Sequence, residues 1–121
     1  MKKINMKYLE KEERPWGKYL VIHDENGYKL KRIEVMPGGK LSYQFHNKRS
    51  EAWSIVEGSG IVTLNDKEFI VKYGDTITID RLTKHRIYNN SDSLLVFIEV
   101  QMGTYFGEDD IVRIQDDYKR T

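Results

Sequence analysis

Short stretches of strand-forming residues, separated by turn residues, limit what this chain can fold into. The stretches cover residues 19–23, 28–36, 41–46, 52–57, 61–64, 68–71, 75–79, 85–88 and 94–101. Turn signals such as Asn26-Gly27 and Pro37-Gly38 divide them, because these residues adopt tight-turn backbone angles readily. An amphipathic helical pattern of about 10–15 residues is missing. The pattern therefore predicts an all-β sandwich or barrel.

The two ends of the chain differ from this pattern. Residues 7–14 are highly charged and predict one helical turn or an irregular lead-in, which Pro15 ends. We treat residues 1–13 as a lead-in to a single domain, 1–121, and expect it either to be flexible or to pair with a sheet edge. Residues 107–121 are acidic and then basic, and we expect them to cover an edge of the barrel.

Composition narrows the class of protein. A chain of 121 residues is long enough for one domain with a real core. It has no cysteine, which excludes disulfides and thiolate metal sites. Twenty basic and 19 acidic residues give a net charge of +1, which argues against nucleic acid as a partner. Since no apolar run suits a signal peptide or a membrane span, we expect a soluble cytoplasmic protein with no membrane partner.

Two spaced clusters of polar residues and glycines stand out among the predicted strands. The first holds Gly38, Gln44, His46, Glu51 and Gly58, and the second holds Gly74, His85 and Asn89. Side chains two residues apart in a strand point the same way, so Gln44 and His46 share a face. Glu51 opens the next strand, and His85 comes from a distant one. Imidazole, amide and carboxylate groups together suit a borderline divalent metal ion.

These clusters resemble the two-motif signature of the cupin superfamily, in which three groups from the first motif and one histidine from the second bind one metal ion. Gln44 stands where that motif usually has its first histidine, as in sugar-phosphate isomerase cupins. Over residues 14–120 the chain resembles type II phosphomannose isomerase, usually the C-terminal part of a bifunctional mannose-1-phosphate guanylyltransferase/mannose-6-phosphate isomerase. The residues that carry this resemblance lie at 14–17, 28–33, 37–39, 41–44, 49–53, 107–113 and 117–120.

The resemblance implies a fold, a cofactor and an activity. The fold is the cupin double-stranded β-helix, a jelly-roll barrel. One divalent metal ion is bound by Gln44, His46, Glu51 and His85; we expect Zn²⁺ first, with Mn²⁺, Co²⁺, Fe²⁺ and Ni²⁺ as alternatives. The activity is the interconversion of mannose 6-phosphate and fructose 6-phosphate, so the partner is a small sugar phosphate. Arg113 would be an active-site arginine.

Such an isomerisation needs a group that moves a proton between neighbouring carbons. Lys31 and Glu99 are the candidates on the predicted strands. Glu99 lies in an otherwise apolar strand, and burial there would raise the pKa of its carboxyl group. Equally, Glu99 could face outward, alternating with Ile98 and Val100.

The phosphate of the substrate needs cationic donors, and arginine suits it through its bidentate fork. Arg113, Arg14 and Arg32 are the candidates, in that order, although solvated structural roles stay open for Arg14 and Arg32.

Two other kinds of function fit the same pattern. One is another small-molecule cupin enzyme, such as an epimerase or a dioxygenase, although a dioxygenase would be expected to carry histidine at position 44. The other is a non-catalytic module that binds a sugar or sugar nucleotide. In either case small barrels expose sheet edges, so we expect a homodimer in which residues 1–13 pair with an edge.

Overall fold

The computed structural model describes residues 7–117, and nearly all of its regular structure is β-strand. The strands are β1 (Glu10–Arg14), β2 (Gly17–Glu25), β3 (Tyr28–Val35), β4 (Tyr43–His46), β5 (Arg49–Glu57), β6 (Ser59–Leu64), β7 (Lys67–Lys72), β8 (Thr76–Ile79), β9 (His85–Tyr88), β10 (Leu95–Gly103) and β11 (Ile111–Gln115). A 3₁₀ turn, Glu108–Asp110, precedes β11. Within 7–117, no helix is long and apolar enough to cross a membrane.

The strands form two antiparallel sheets. Sheet A has the order β1-β2-β3-β10-β5-β8, and sheet B has the order β11-β4-β9-β6-β7. Many neighbours in space are distant in sequence: β10 lies between β3 and β5, and β4 lies between β11 and β9. These crossovers are those of a jelly roll and not of a simple meander. The all-β prediction is therefore confirmed.

The core lies between the sheets and becomes polar towards one end of the barrel. In β10 the inward positions are first Leu95 and Phe97, both fully buried, and then Glu99 and Gln101, which are also buried. Val62 and Ile87 of sheet B belong to the same apolar cluster as Phe97. Burying each large apolar side chain stabilises the fold by about 1.5–3 kcal/mol. This apolar half supports the polar half, where the candidate site lies.

The N-terminal segment is a strand, not the helical turn or irregular lead-in that its charge suggested. β1 pairs in register with β2, with Glu10 opposite Val21. The turn between them depends on Gly17, whose φ is +151° and where a Cβ atom would lie 2.0 Å from the carbonyl oxygen of Glu34. Since residues 10–13 pair within their own chain, they already form one sheet edge. The single-domain organisation and the homodimer stay predictions.

The C-terminal segment covers the edge of sheet B, where β11 pairs with β4. This agrees with the position expected for residues 107–121. Residues 1–6 and 118–121 lie outside the described residues, and so does the Tyr118-Lys119-Arg120 part of the family resemblance. Among the expected hairpins, Asn65 and Asp66 both have positive φ, 45° and 71°, as the two-residue turn between β6 and β7 requires.

Candidate functional site

Two rows of polar side chains approach each other across the polar end of the barrel. Strand register aligns Trp53, Glu99 and Lys31 across sheet A, and Arg113, Gln44 and His85 across sheet B. The indole of Trp53 meets the imidazole of His85 edge-on, with ring centroids 5.8 Å apart. The fold therefore brings together the two clusters that are far apart in the sequence.

A buried cluster of His46, Glu51 and His85 lies between these rows. Nε2 of His46 is 3.2 Å from Oε2 of Glu51, and Nε2 of His85 is 3.8 Å from Oε1 of the same carboxylate. One ligand atom from each residue lies within 4.8 Å of the others, so these three residues could hold a metal ion. All three are almost completely buried. Three of the four ligands that the family resemblance implies are thus assembled.

The hydrogen bonds of His85 leave one ring nitrogen available as a ligand. Nδ1 lies 2.9 Å from the carbonyl oxygen of Thr83, which can only accept, so Nδ1 carries the proton. Nε2 then presents a lone pair towards Glu51, and it is buried with no hydrogen-bond partner among the described residues. Burial, which disfavours the charged form, lowers the pKa of His85. A neutral imidazole with an outer-sphere carbonyl partner is the form that binds a metal ion.

Gln44 stands beside the cluster with its amide nitrogen turned inward. That nitrogen is 3.3 Å from Nε2 of His46, while the amide oxygen is 2.5 Å from the hydroxyl of Ser42. Ligation through oxygen therefore needs a half-turn of the amide. Ser42 permits it, because a hydroxyl can accept from the amide nitrogen as well as donate to the oxygen. In that second orientation the amide oxygen would lie beside Nε2 of His46.

Glu51 is ionised although it is buried. Burial alone would raise the pKa of its carboxyl group, but the contact with His46 and the positive charge of Arg49 hold that pKa well below its usual range. Arg49 is close enough to do so, since its Nε donates to Oε2 of Glu51 at 2.9 Å. The carboxylate is therefore available to a metal ion at neutral pH.

A second buried carboxyl group, that of Glu99, shares a donor with Glu51. The indole nitrogen of Trp53 donates to both, at 3.0 Å each, and Gln101 donates to the other oxygen of Glu99 at 2.8 Å. Burial, followed by the negative charge of Glu51, raises the pKa of Glu99 to about 8. Glu99 faces inward, so of the two orientations left open by the sequence the structure shows the buried one.

A pocket lies over this cluster and opens to the outside. Its lining includes four basic side chains and two carboxyl groups, namely Arg14, Lys31, Arg49, Arg113, Glu99 and Glu108. Lys31 is buried, with Nζ 3.5 Å from Glu108 and 4.1 Å from the centroid of the Tyr19 ring. Although burial raises it, the pKa of Glu108 is lowered overall by the charges of Lys31, Arg49 and Arg14. The pocket suits an anionic ligand.

The structure separates the sequence-based candidates for substrate binding. Arg14 and Arg113 line the pocket with Lys31. Arg32, one position along β3 from Lys31, projects from the opposite face and pairs with Glu34 at 3.0 Å. Because neighbouring side chains in a strand alternate, Lys31 and Arg32 cannot both reach the pocket. Arg32 is not brought to the site.

Sequence reasoning missed two residues that support the site. Arg49 entered only as part of a family match, yet the residue is buried, at 4% exposure. Trp53 likewise entered only within the family match, yet its indole nitrogen bridges two carboxyl groups. One signal could have indicated both: at i−2 and i+2 from Glu51 in a strand, they must share its face.

Comparison with known proteins places the chain in a family. A family model described as "Mannose-6-phosphate isomerase C-terminal" matches residues 2–116. The alginate biosynthesis protein AlgA of Pseudomonas aeruginosa is 42% identical over 108 residues, 89% of this chain and 22% of that protein. A mannose-1-phosphate guanylyltransferase of Salmonella muenchen is 40% identical over 102 residues, 84% of this chain and 22% of that protein. This chain thus spans about a fifth of the length of these relatives.

Solved structures agree on the fold. The cupin domain of Cnp3 from Schizosaccharomyces pombe has a TM-score of 0.69 at 16% sequence identity, covering 71% of this chain and 64% of that chain. At this identity the likeness concerns the fold alone. The two facing sheets form the cupin double-stranded β-helix, as the sequence predicted. The chain belongs to the mannose-6-phosphate isomerase C-terminal family, with a cupin fold and a His-Glu-His cluster that could hold a metal ion.

Proposed function

We propose that this protein is a metal-dependent isomerase that interconverts mannose 6-phosphate and fructose 6-phosphate. One observation carries the proposal: basic side chains and a carboxyl group of raised pKa line a single pocket, and the candidate metal cluster lies beneath it. Membership of the family supports the choice of sugar phosphate.

The proposed ligands of the metal ion are His46, Glu51 and His85, with Gln44 as the fourth. They fit a divalent ion because the lone pair on Nε2 of His85 is buried and unused and because Glu51 is ionised. Zn²⁺ is our first choice, since imidazole and carboxylate ligands suit it. When bound, such an ion acts as a Lewis acid that polarises the sugar oxygens and stabilises negative charge formed on them.

The basic groups of the pocket bind the phosphate in this proposal. Arg113, at the mouth of the pocket on edge strand β11, can form a bidentate pair with phosphate oxygens. Arg14 and the buried Lys31 add positive charge on the opposite sheet. Because these groups are held by strand register and not by a loose loop, the sugar is oriented with its reacting carbons towards the cluster.

Glu99 is the proposed proton carrier. Aldose and ketose interconvert when one proton moves between C2 and C1 and a second moves between the oxygens on these carbons; a carboxyl group with a pKa raised towards neutrality can both accept and return the carbon-bound proton. Trp53 and Gln101 hold both oxygens of Glu99 in place. Lys31, opposite Glu99 in the neighbouring strand, stabilises the ionised form that accepts the proton.

The test compares Arg113→Ala with Arg32→Ala in a coupled assay for fructose 6-phosphate formation. A hydrogen-bonded charge pair is worth about 1.5–3 kcal/mol, so Arg113→Ala should lose about 10–150-fold in kcat/KM. Arg32→Ala removes the same charge outside the pocket and should stay within about twofold of wild type. Both should keep their metal content and lose about 1 kcal/mol of stability or less.

Two results would count against the proposal. An equal loss of kcat/KM in both variants would mean that Arg113 contributes only to the net positive charge of the protein and does not contact the phosphate. If the metal-loaded protein turns over no hexose phosphate yet binds a sugar or sugar nucleotide, the non-catalytic binding module is the better description.

A further inference from the structure

The guanidinium of Arg49 lies between the pocket and the candidate metal cluster. It lines the pocket, whereas His46, Glu51 and His85 lie behind it. Its Nη2 is 3.1 Å from Nε2 of His46, and its Nε is 2.9 Å from Oε2 of Glu51. On its outer side, Nη1 donates to the carbonyl oxygen of Phe106 at 3.5 Å, near the upper limit for a hydrogen bond. The inner contacts are therefore the stronger ones.

The contact with His46 uses the atom that a metal ion would need. An arginine only donates hydrogen bonds, so Nε2 of His46 must accept here. An imidazole nitrogen has one lone pair, and the same lone pair serves either a hydrogen bond or a metal ion. Oxygen Oε2 of Glu51 is likewise engaged by Arg49. Arg49 in this position and a metal ion bound through Nε2 of His46 are mutually exclusive.

We infer that Arg49 is a displaceable positioning residue: it competes with the metal ion for His46 and Glu51, and when displaced it turns into the pocket and adds to the anion-binding groups there. The second half rests on the proposed function, since it takes a sugar phosphate as the anion. The displaced guanidinium carries its charge to a pocket already lined by Lys31, Arg14 and Arg113, where an anion stabilises it. Metal ion and sugar phosphate then favour each other's binding, to the same extent in both directions.

The test measures Co²⁺ affinity by visible absorption, in chelator-treated protein, with and without mannose 6-phosphate. In wild type the sugar phosphate should strengthen Co²⁺ binding at least about fivefold, within the usual range of coupling between sites. Arg49→Met removes the competitor, so Co²⁺ should bind at least about tenfold more tightly than to wild type when no sugar phosphate is present. In this variant the effect of the sugar phosphate should fall below about twofold.

Two further variants act as controls. Arg81→Met removes an exposed arginine that donates to the carbonyl oxygen of Asn47, the residue after His46. This variant should bind Co²⁺ as wild type does, with the same effect of sugar phosphate. Arg49→Lys keeps the charge, and it tests the competition between Arg49 and the metal ion if Arg49→Met does not fold. A single ammonium group cannot hold His46 and Glu51 together in the fork geometry of arginine. Arg49→Lys should therefore bind Co²⁺ more tightly than wild type, with a smaller effect of sugar phosphate.

The outcomes separate this inference from the proposed function. If the Arg49 variants bind Co²⁺ no more tightly than wild type, or keep the full effect of sugar phosphate, the inference is wrong even where the enzyme is active. If they bind Co²⁺ more tightly but sugar phosphate has no effect on any protein, the competition stands and the coupling to an anion in the pocket is wrong; the proposed function is then decided by the assay of Arg113→Ala alone.

Discussion

The two buried carboxyl groups make the stability of the metal-free protein depend on pH, and Glu99→Gln isolates that dependence. Glu51 and Glu99 share the indole nitrogen of Trp53 and are both almost completely buried. Glutamine has nearly the same shape and can still accept from Trp53, but it cannot ionise. Any change in pH dependence therefore reports the charge on Glu99.

The sign and size of this pH dependence follow from the raised pKa of Glu99. The pKa of Glu99 is raised from 4.5 to about 8, so between these pH values the folded protein binds more protons than the unfolded chain. The stabilising contribution is complete below the unfolded pKa and is lost as pH rises towards the folded one. At about 1.4 kcal/mol per pKa unit, wild type should lose about 2–3 kcal/mol relative to Glu99→Gln between pH 5 and pH 7.

Urea unfolding in the presence of a chelator, at several pH values from 5 to 8, measures this difference. The m-value should be the same in both proteins, so that the midpoints report stability alone. Glu57→Gln removes an exposed carboxyl group from the end of β5 and should follow the wild-type curve. Parallel curves for wild type and Glu99→Gln would refute the reasoning, because they would mean that Glu99 is ionised as easily in the folded protein as in the unfolded chain.

Two further predictions concern the cluster and its support. Replacing both His46 and His85 by alanine should abolish the metal content, measured by elemental analysis after gel filtration. The circular dichroism spectrum should still show the strand content of wild type. Full metal occupancy of this double variant would refute the ligand assignment. Trp53→Phe should lower the free energy of unfolding in urea by about 1.5–3 kcal/mol more than Trp16→Phe does, because only Trp53→Phe removes a donor from two buried carboxyl groups. Equal losses of free energy would show that the bridging hydrogen bonds contribute nothing to stability.

Most of the fold could be predicted because turn residues and alternation are local signals. Asn26-Gly27 and Asn65-Asp66 end their strands where the sequence suggests. β1 was foreseen only as one alternative, a lead-in that pairs with a sheet edge, because all five of its residues are charged and show no alternation in the sequence. Its strand character comes from pairing with β2, which is a tertiary effect.

The candidate site, like the fold, could be predicted from the sequence only in part. The shared face of Gln44 and His46 follows from their spacing alone, and the approach of His85 followed from the family resemblance. Burial of Glu99 was left open, because alternation tells which residues share a face but not which face is inside. Arg49 was missed since a charged residue next to a turn is usually solvated, and only the distances to His46 and Glu51 show otherwise.

The pairing of β5 with β10 has a consequence for how errors in folding would affect this protein. An irregularity in register between Val96 and Phe97 sets the phase of the whole pair, so that Phe97 lies opposite Ile55 and Glu99 opposite Trp53. A slip by one residue would turn the core and the chemical groups outward together. A chain misaligned in this way would lose the apolar burial that stabilises it together with its candidate site. Stability and correct assembly of the site therefore depend on the same register.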